Sequence, residues 1–553
     1  MKPPNCQDGG ERVCDFPPPA VLIFLPVVLF LFTPAVGWAA GTVTNCTESS
    51  LRAAMVGGGT VTFVCDGTII NLVDTTLDAT GHQITISGGG LRRVFVVNTN
   101  ISLTALNLTI ANGLSDQAGG IYNAGGSLFL RNCIFLNNAA VGAGGPVYSG
   151  SSGTNGCGGA IFNAGFMEAL DCTFLSNTVV GGAGAAAGWP GTAGGTGGDG
   201  EGGAVGNYGS AIMTGCLLAG NSATGGPGGD GGSGSYGFYP DNSGGPGGAG
   251  GSGKGGALFN GGQAVLVNNT FASNQGVGGP GGWGGSGAPP SSQSDTSGNG
   301  GHGGVGGSGD GAVADAGGLC YVLNCTVALN LGSPGAGGMG GPAGPWIYPY
   351  YPPRVGSPGG DASAGIAVGG LTTTGAILQN TLLSGNTSSN AAGNITDAGH
   401  NLSSDGSCAF TAAGSLNNTD PKLGPLAGHG GPTLTMPLLP GSPAIDAGNT
   451  PGAPATDQRG VARPQGPGVD IGSFEFQYIP VFACPVVSGA TNCLLQVTGL
   501  LPNQTFSLET SSNLVQWAGL TNFVAGTNGM FQFSDPVSGS VPMRFYRLKS
   551  GSP

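Results

Sequence analysis

The sequence predicts an all-β chain: a right-handed parallel β-helix with long glycine-rich loops, followed by a small β-sandwich. Three observations carry this. The pairs Gly119-Gly120, Gly158-Gly159, Gly202-Gly203 and Gly255-Gly256 each open a short apolar stretch (GGIYN, GGAIFN, GGAVGN, GGALFN). Thirteen residues past the second glycine stand Cys133, Cys172, Cys216 and Asn269, and five further on stand Asn138, Asn177, Asn221 and Asn274. The insertions between repeats differ widely in length, whereas the antiparallel hairpins of a propeller or sandwich do not predict one fixed ladder with such variable insertions.

At the N-terminus, residues 20–33 are almost wholly apolar and Gly37-Trp38-Ala39 supplies small residues for cleavage, so 1–39 reads as a signal peptide and the protein as secreted or cell-surface. Asp8, Glu11 and Asp15 beside Lys2 and Arg12 are unlike a basic leader start and suggest that the start codon is placed too early. An uncleaved anchor over residues 20–36 is the rival, opposed by Pro26 and Pro34. No later segment is long and apolar enough to span, so no transmembrane span is expected in the mature chain.

Residues 40–110 read as an N-terminal cap and first coils. SSLRAAM forms a short capping helix there, flanked by Cys46 and Cys65 as a candidate disulfide. Residues 111–399 are the repeats. Each core of about 19 residues holds two short strands, such as AIFN and ALDCTF, too short to bury a face unless successive coils stack. Stacking makes Cys133, Cys172, Cys216, Asn269 and Cys325 one inward ladder, with Phe135, Phe174 and Phe271 two residues on and facing the same side. Asn138, Asn177, Asn221 and Asn274 then sit at corners, where their amides satisfy backbone groups and tolerate left-handed dihedrals. The five-residue step also links Cys325 to Asn330 and Asn107 to Asn112. Asn380 to Asn386 is one longer, and Asn123 is one out of step. Stacked cysteines have parallel Cβ vectors, poor for bridging, so the thiols are expected as apolar filler.

The insertions 178–201, 222–254, 275–316 and 331–368 leave the repeat at one point and should emerge on one flank. Their composition fits either disordered linkers or packed glycine layers anchored by Trp189, Tyr236, Trp283, Trp346 and Tyr348. Loops of this kind bury little, so deletion of 225–252 is expected to be tolerated. Residues 479–553 alternate in strand fashion and read as an immunoglobulin-like β-sandwich, with Cys484 and Cys493 as a second candidate disulfide.

The GGA[I/V] and Phe-x-x-Asn pattern (Phe174…Asn177, Phe271…Asn274) resembles the repeat of polymorphic outer-membrane proteins, which are β-helical adhesins; their translocation barrel has no counterpart here. NCTESSLRAAM is similar to the capping segment of secreted β-helix proteins. Residues 400–478, with HNLSSDGSC, LLPGSPAIDAG and DQRGVARPQGPGVDIGSFEF, resemble the choice-of-anchor Q domain, which implies a surface location and a fold but no activity. LETSSNLVQW through RFYRLKS resembles C-terminal modules of large secreted proteins of environmental bacteria.

Charge and motifs narrow the function. Only 7% of residues are charged and the net charge is −13, which excludes a nucleic-acid partner. Polygalacturonase-like fragments, Asn418-Thr419-Asp420 and Gly428-His429-Gly430, lie too close together for carboxylates on successive coils and read as turns. Glu168 and Asp171, with Arg131 one coil below, fit a solvated outer face better than a lyase site. Asp199 and Asp230 lie in GGxGxD hexads that lack the apolar position and tandem spacing of calcium repeats. Asp446, Asp457 and Asp470, with Arg459, form a better cluster. It is a salt-bridge network capping the solenoid end or, as the alternative, a structural calcium site. His82, His302, His400 and His429 lack metal spacing, and no catalytic residue or cofactor is assigned. The expectation is a non-catalytic structural or adhesive surface protein whose partner is a surface polysaccharide or cell-envelope component. A β-helical polysaccharide lyase or glycoside hydrolase is the alternative, and a carbohydrate-binding role of the sandwich fits either.

Overall fold

The computed structural model describes residues 41–65, 69–71, 75–236, 242–482, 486–488, 492–526, 529–536 and 544–550. The expected signal peptide and Cys484 lie outside them. The chain is a parallel β-helix followed by two small antiparallel sheets. One coil runs through Gly156–Cys157, Ile161–Asn163, Phe166–Leu170, Thr173–Leu175 and Thr178–Val180. Each of these pairs in parallel with its counterpart one coil on. The stacked strands build sheets of eleven, sixteen, six and five strands, the largest being two rails that merge in Leu371–Gln379.

The coil therefore has more and shorter strands than the two expected. ALDCTF is broken at Asp171, which takes a φ of 55° and is a corner residue rather than part of a strand. Asn107, Asn132, Asn268, Asn324 and Asn380 occupy the same corner with φ between 48° and 59°. A second left-handed corner follows at Asn112, Asn137, Ser176, Ser273 and Leu329. Asn and Asp tolerate this region because their short polar side chains bond locally. The left-handed residue is thus the one before each Asn of the 138/177/221/274 ladder, not that Asn itself.

These asparagines instead point inward and are fully buried. Asn177 Nδ2 donates to Asn221 Oδ1 at 2.9 Å and to Phe135 O at 3.0 Å, while Asn177 N donates to the same Asn221 oxygen at 3.0 Å. Asn221, Asn274 and Asn330 repeat the arrangement. Burial without a penalty for unpaired polar atoms follows from this pairing. The sequence offsets now resolve. Asn123 pairs in register with Asn163, and the extra residue is taken up in the turn before Ser127, which pairs with Phe166. Asn107 and Asn380 belong to the corner ladder, and Leu108 and Thr381 hold the positions stacked against Cys133 and Cys325.

Cys133, Cys172, Cys216 and Cys325 are buried free thiols. Asn269 shares their ladder because Cys216 N donates to its Oδ1 at 2.7 Å and its Nδ2 donates to Met213 O at 2.8 Å. Phe135 and Phe174 stack with centroids 4.8 Å apart. At the N-terminal end the helix Glu48–Met55 buries Leu51, Ala54 and Met55 on the core, and Cys46 is bonded to Cys65. At the other end Cys408 and Phe410 close the same core.

Residues 457–476, expected to cap that end, lie elsewhere. They fold back along the flank, where the outward positions Leu217, Thr270, Thr326 and Leu382 are buried. Thr270 Oγ1 donates to Gln458 Oε1 at 2.6 Å, Ser473 N donates to Thr326 Oγ1 at 3.0 Å, and Gln458 Nε2 reaches Cys216 O at 3.3 Å. The same outward position is exposed at Ile134, below the reach of this segment. The C-terminal sheets enclose Val497, Leu500, Phe506 and Ala525, with Cys493 a buried free thiol beside them.

Candidate binding surface

The described residues of the glycine-rich insertions form a regular hydrogen-bonded arrangement. They leave each coil after the strand ending at Val141, Val180, Thr224, Val277 or Ser333 and return at the strand starting at Gly156, Gly200, Gly253, Gly309 or Ala367. They are therefore narrower than the expected ranges, and 142–155 adds a first, short member. The five hairpins stack as tiers of a wing that lengthens from coil to coil.

Within a tier the bonding period is three. Gly228, Gly231 and Gly234 donate their N–H to Pro280, Trp283 and Ser286 of the next tier, each at 2.8 Å. Between the outgoing and returning layers, Gly226 N donates to Gly198 O, Gly251 N to Gly226 O and Gly279 N to Gly251 O, again at 2.8 Å. A three-residue period with interspersed prolines is that of polyproline II strands, which have no internal hydrogen bonds and so must satisfy their donors sideways. Two of each three residues face neighbouring strands at backbone distance. A Cβ on Gly226 would stand 2.0 Å from Gly182 O, and one on Gly229 would stand 2.1 Å from Ala185 O. The expected tolerance of a 225–252 deletion is corrected by this geometry: the segment is a middle tier bonded on both sides.

The third residue of each triplet faces out. On the outgoing layer these are Ala183 and Ala186, with Trp189 following in the turn at the tip of that tier, then Pro227, Asp230 and Ser233. The next two tiers continue with Pro280, Trp283 and Ser286, and with Ala336, Met339 and Pro342. This face is apolar: Trp189 is 76% exposed, Trp283 58% and Met339 55%. Asp230 is the only charge among these positions, and its Oδ1 accepts from Trp283 N at 2.8 Å.

The returning face is polar, and its side chains cap the outward N–H of the tier above. Asn155 Oδ1 accepts from Asp199 N, Asp199 Oδ1 from Ser252 N, and Ser252 Oγ from Ser308 N, at 2.9, 2.6 and 3.2 Å. Asn299 Oδ1 and His302 Nδ1 do the same for Ser357 N and Gly360 N. The carboxylates of both GGxGxD hexads are thus backbone caps. Of the expected aromatic anchors, Trp346 and Tyr348 do pack on each other edge to face, and the Tyr348 hydroxyl donates to Ser291 O at 3.2 Å. Trp189 and Trp283 are exposed instead, and Tyr236, though exposed, reaches the Tyr348 side chain.

Where the wing joins the solenoid, Cys157, Glu201, Lys254 and Asp310 form an outward column in adjacent coils. Tyr208 donates to Glu201 and Cys157 Sγ lies 3.2 Å from that carboxylate. Lys254 Nζ binds Asp199 at 2.5 Å and Glu201 at 3.4 Å. Burial, then the Glu201 charge, pushes the Cys157 thiol up to about 12, and burial raises Tyr208 in the same way. Burial alone would lower Lys254, but its bond to Asp199 and the two carboxylate charges outweigh it and raise it. Cys157 and Tyr208 are thereby held protonated and Lys254 charged. The column was missed in the sequence, although its signal, a titratable residue just before Gly158, Gly202, Gly255 and Gly311, is there. Beside it Tyr122 and Phe162 stack at 4.9 Å, with Tyr208 tilted over the next coil, so their faces cover one another.

The cluster of Asp446, Asp457 and Asp470 is brought together with Arg459, Arg463 and Glu475. Asp457 pairs with Arg459 at 2.7 Å and Glu475 with Arg463 at 2.9 Å, all four side chains buried. Asp457 also accepts from the N–H groups of Arg459, Val461 and Glu475. Asp470 accepts from Asp446 N at 2.7 Å and from Phe476 N, and Asp446 accepts from the Tyr478 hydroxyl at 2.5 Å. Burial, then the Glu475 charge, pushes Asp470 up to about 8 despite those two donors. These carboxylate oxygens are occupied by backbone N–H groups, by the Arg459 and Arg463 guanidinium groups on Asp457 and Glu475, and by the Tyr478 hydroxyl on Asp446, the arrangement of a salt-bridge network. Among the described residues no group of three or more His, Cys, Asp or Glu is placed to hold a metal ion.

Asp420 Oδ1 accepts from Lys422 N at 2.9 Å as a turn, and His429 packs edge-on against Phe474. Glu168 is exposed. A cleft of about 200 Å³ between Asp446, Phe476 and Tyr478 and the C-terminal module at Leu500 and Pro502 is below the ~300 Å³ of the smallest usual ligand sites. No helix of the described residues is long and apolar enough to cross a membrane. Comparison of the chain with family models, curated proteins and solved structures finds no match.

Proposed function

We propose that this protein is an exported, non-catalytic structural or adhesive protein, in which the solenoid is a shaft and the wing its binding surface. The observation that carries the reading is the apolar face of the wing, an ordered, flat, exposed surface of a kind that marks interaction sites. The resemblances to polymorphic outer-membrane repeats and to the choice-of-anchor Q domain favour the cell surface, and the apolar stretch at 20–33 favours export. Carbohydrate or cell-envelope material is the partner class.

Beads coated with the full chain should adhere to cells or envelope fragments, and beads coated with a variant lacking residues 335–365 should adhere less. Equal adhesion would remove the wing from the function. The enzymatic alternative would rest on Glu201, Tyr208 and Lys254, whose mutual pairing leaves no free base. Polysaccharide turnover abolished by Glu201→Gln would overturn the non-catalytic reading. N-terminal sequencing of the exported chain that found residues 1–20 still present would replace cleavage by an anchor.

A further inference from the structure

We infer that the apolar face of the wing binds the flat, uncharged surface of an insoluble polysaccharide, a proposal that rests on the wing being the binding surface. The face has the shape for it. Triplets place outward residues about 9 Å apart along a strand, and tiers spaced like strands lie about 4.8 Å apart. Trp283 lies on the plane so formed, and Trp189 stands exposed in the turn at the tip of its own tier. The strands beneath this plane are glycine bonded to glycine, so it has no side-chain cushion and cannot remould itself around a curved partner. Sugar rings offer flat C–H faces that pack on Trp, Tyr and Pro while their hydroxyls stay in water at the sides. Trp283 and the prolines 227 and 280 supply such surfaces on the face, and the exposed rings of Trp189 and Tyr236 supply them in the turns that end their tiers.

Charge and area separate this occupant from others. Asp230, the only charge among the described outward positions, is used as a backbone cap, and the net charge of −13 opposes an acidic polymer or an anionic membrane. A second copy would fit face to face. However, three triplets by the four tiers that carry these positions cover only about 500 Å², short of the ~800 Å² per partner in stable protein pairs. An extended insoluble surface escapes this limit because many copies dock side by side.

The test is depletion of the full chain from solution by crystalline cellulose, chitin or insoluble mannan. The comparison is with the triple variant Trp189→Ala, Tyr236→Ala, Trp283→Ala and with a returning-face control, Thr196→Ala with Ser363→Ala. Retention on at least one polysaccharide, at least tenfold weaker in the triple variant and unchanged in the control, with the same circular dichroism throughout, is the expected result. Equal retention by the triple variant overturns the proposal, as does retention on none of the three. So does a finding that the triple mutation abolishes neutral-vesicle flotation or self-association in sedimentation instead. If bead adhesion still needs residues 335–365 while no polysaccharide retains the protein, the partner class fails and the wing's role survives.

Discussion

At the scale of single residues, the solenoid is organised by where asparagine side chains go. Inward ones chain through buried amides, and the residue before each turns the corner at positive φ. Leu329 is the poorest occupant of that corner, with a φ of 59° and its side chain 56% exposed. Leu329→Asn should therefore raise stability by about 0.5–1 kcal/mol in chemical denaturation, since a left-handed L-residue without a local bond costs ~1–2 kcal/mol. No gain would mean that its packing offsets the strain. Asp470 makes a second test. Its folded pKa is raised to about 8, so the folded chain keeps a proton that the unfolded chain releases near pH 4, and stability from this group falls as pH rises from about 4 to 8. Asp470→Asn should lower stability overall yet flatten the decline between pH 6 and 8; an unchanged slope would show that the backbone donors keep the carboxylate ionised. The inward ladder was legible in the sequence because Cys-to-Asn spacing is constant. The corners were not, because Asn, Asp, Gly, Ser and Leu all serve there and only φ unites them.

At the scale of elements, the wing shows why composition left order and disorder both open. Glycine-rich segments alone lose too much chain entropy to order; here each strand is bonded to neighbours on several sides, so order is a property of the stack. The period of three in GGTGGDGEGG and GGPGGDGGSG was on view, but whether the donors had partners depended on equal registers in successive insertions. Gly229→Val should force apart the tiers at Ala185 O, raising amide exchange across 226–251 by at least ~10-fold while solenoid amides stay protected, as expected of a separately opening unit. Unchanged exchange would refute close packing at this position. The fold-back of 457–476 along the flank was likewise not legible. Its sequence marks many polar partners but not which surface they meet, and the burial of Leu217 and Leu382 is the counterpart that only the structure pairs with it.

At the scale of the whole molecule, the question is whether the C-terminal module supports the shaft. Its two sheets bury their own cores, formed from Phe482, Val497, Phe506, Phe523, Phe531 and their neighbours, with no solenoid residue among them. The closing segment, in contrast, is bound to the flank by Gln458, Ser473 and the paired Arg459 and Arg463, and its last tie is the Tyr478 hydroxyl on Asp446. A chain ending after Tyr478 keeps that tie and loses only the surface beside Leu500 and Pro502. It should keep its β-rich circular dichroism and melt within a few degrees of the full chain, as linked domains with small interfaces do. Ending one residue earlier, at Gln477, leaves Asp446 without its hydroxyl donor, so a lower melting point there would locate the coupling at that pair rather than in the sheets. Residues 479–553 expressed alone should fold reversibly. If instead the chain ending after Tyr478 loses the solenoid signal, the module is a structural support, and an attachment role for it has no basis.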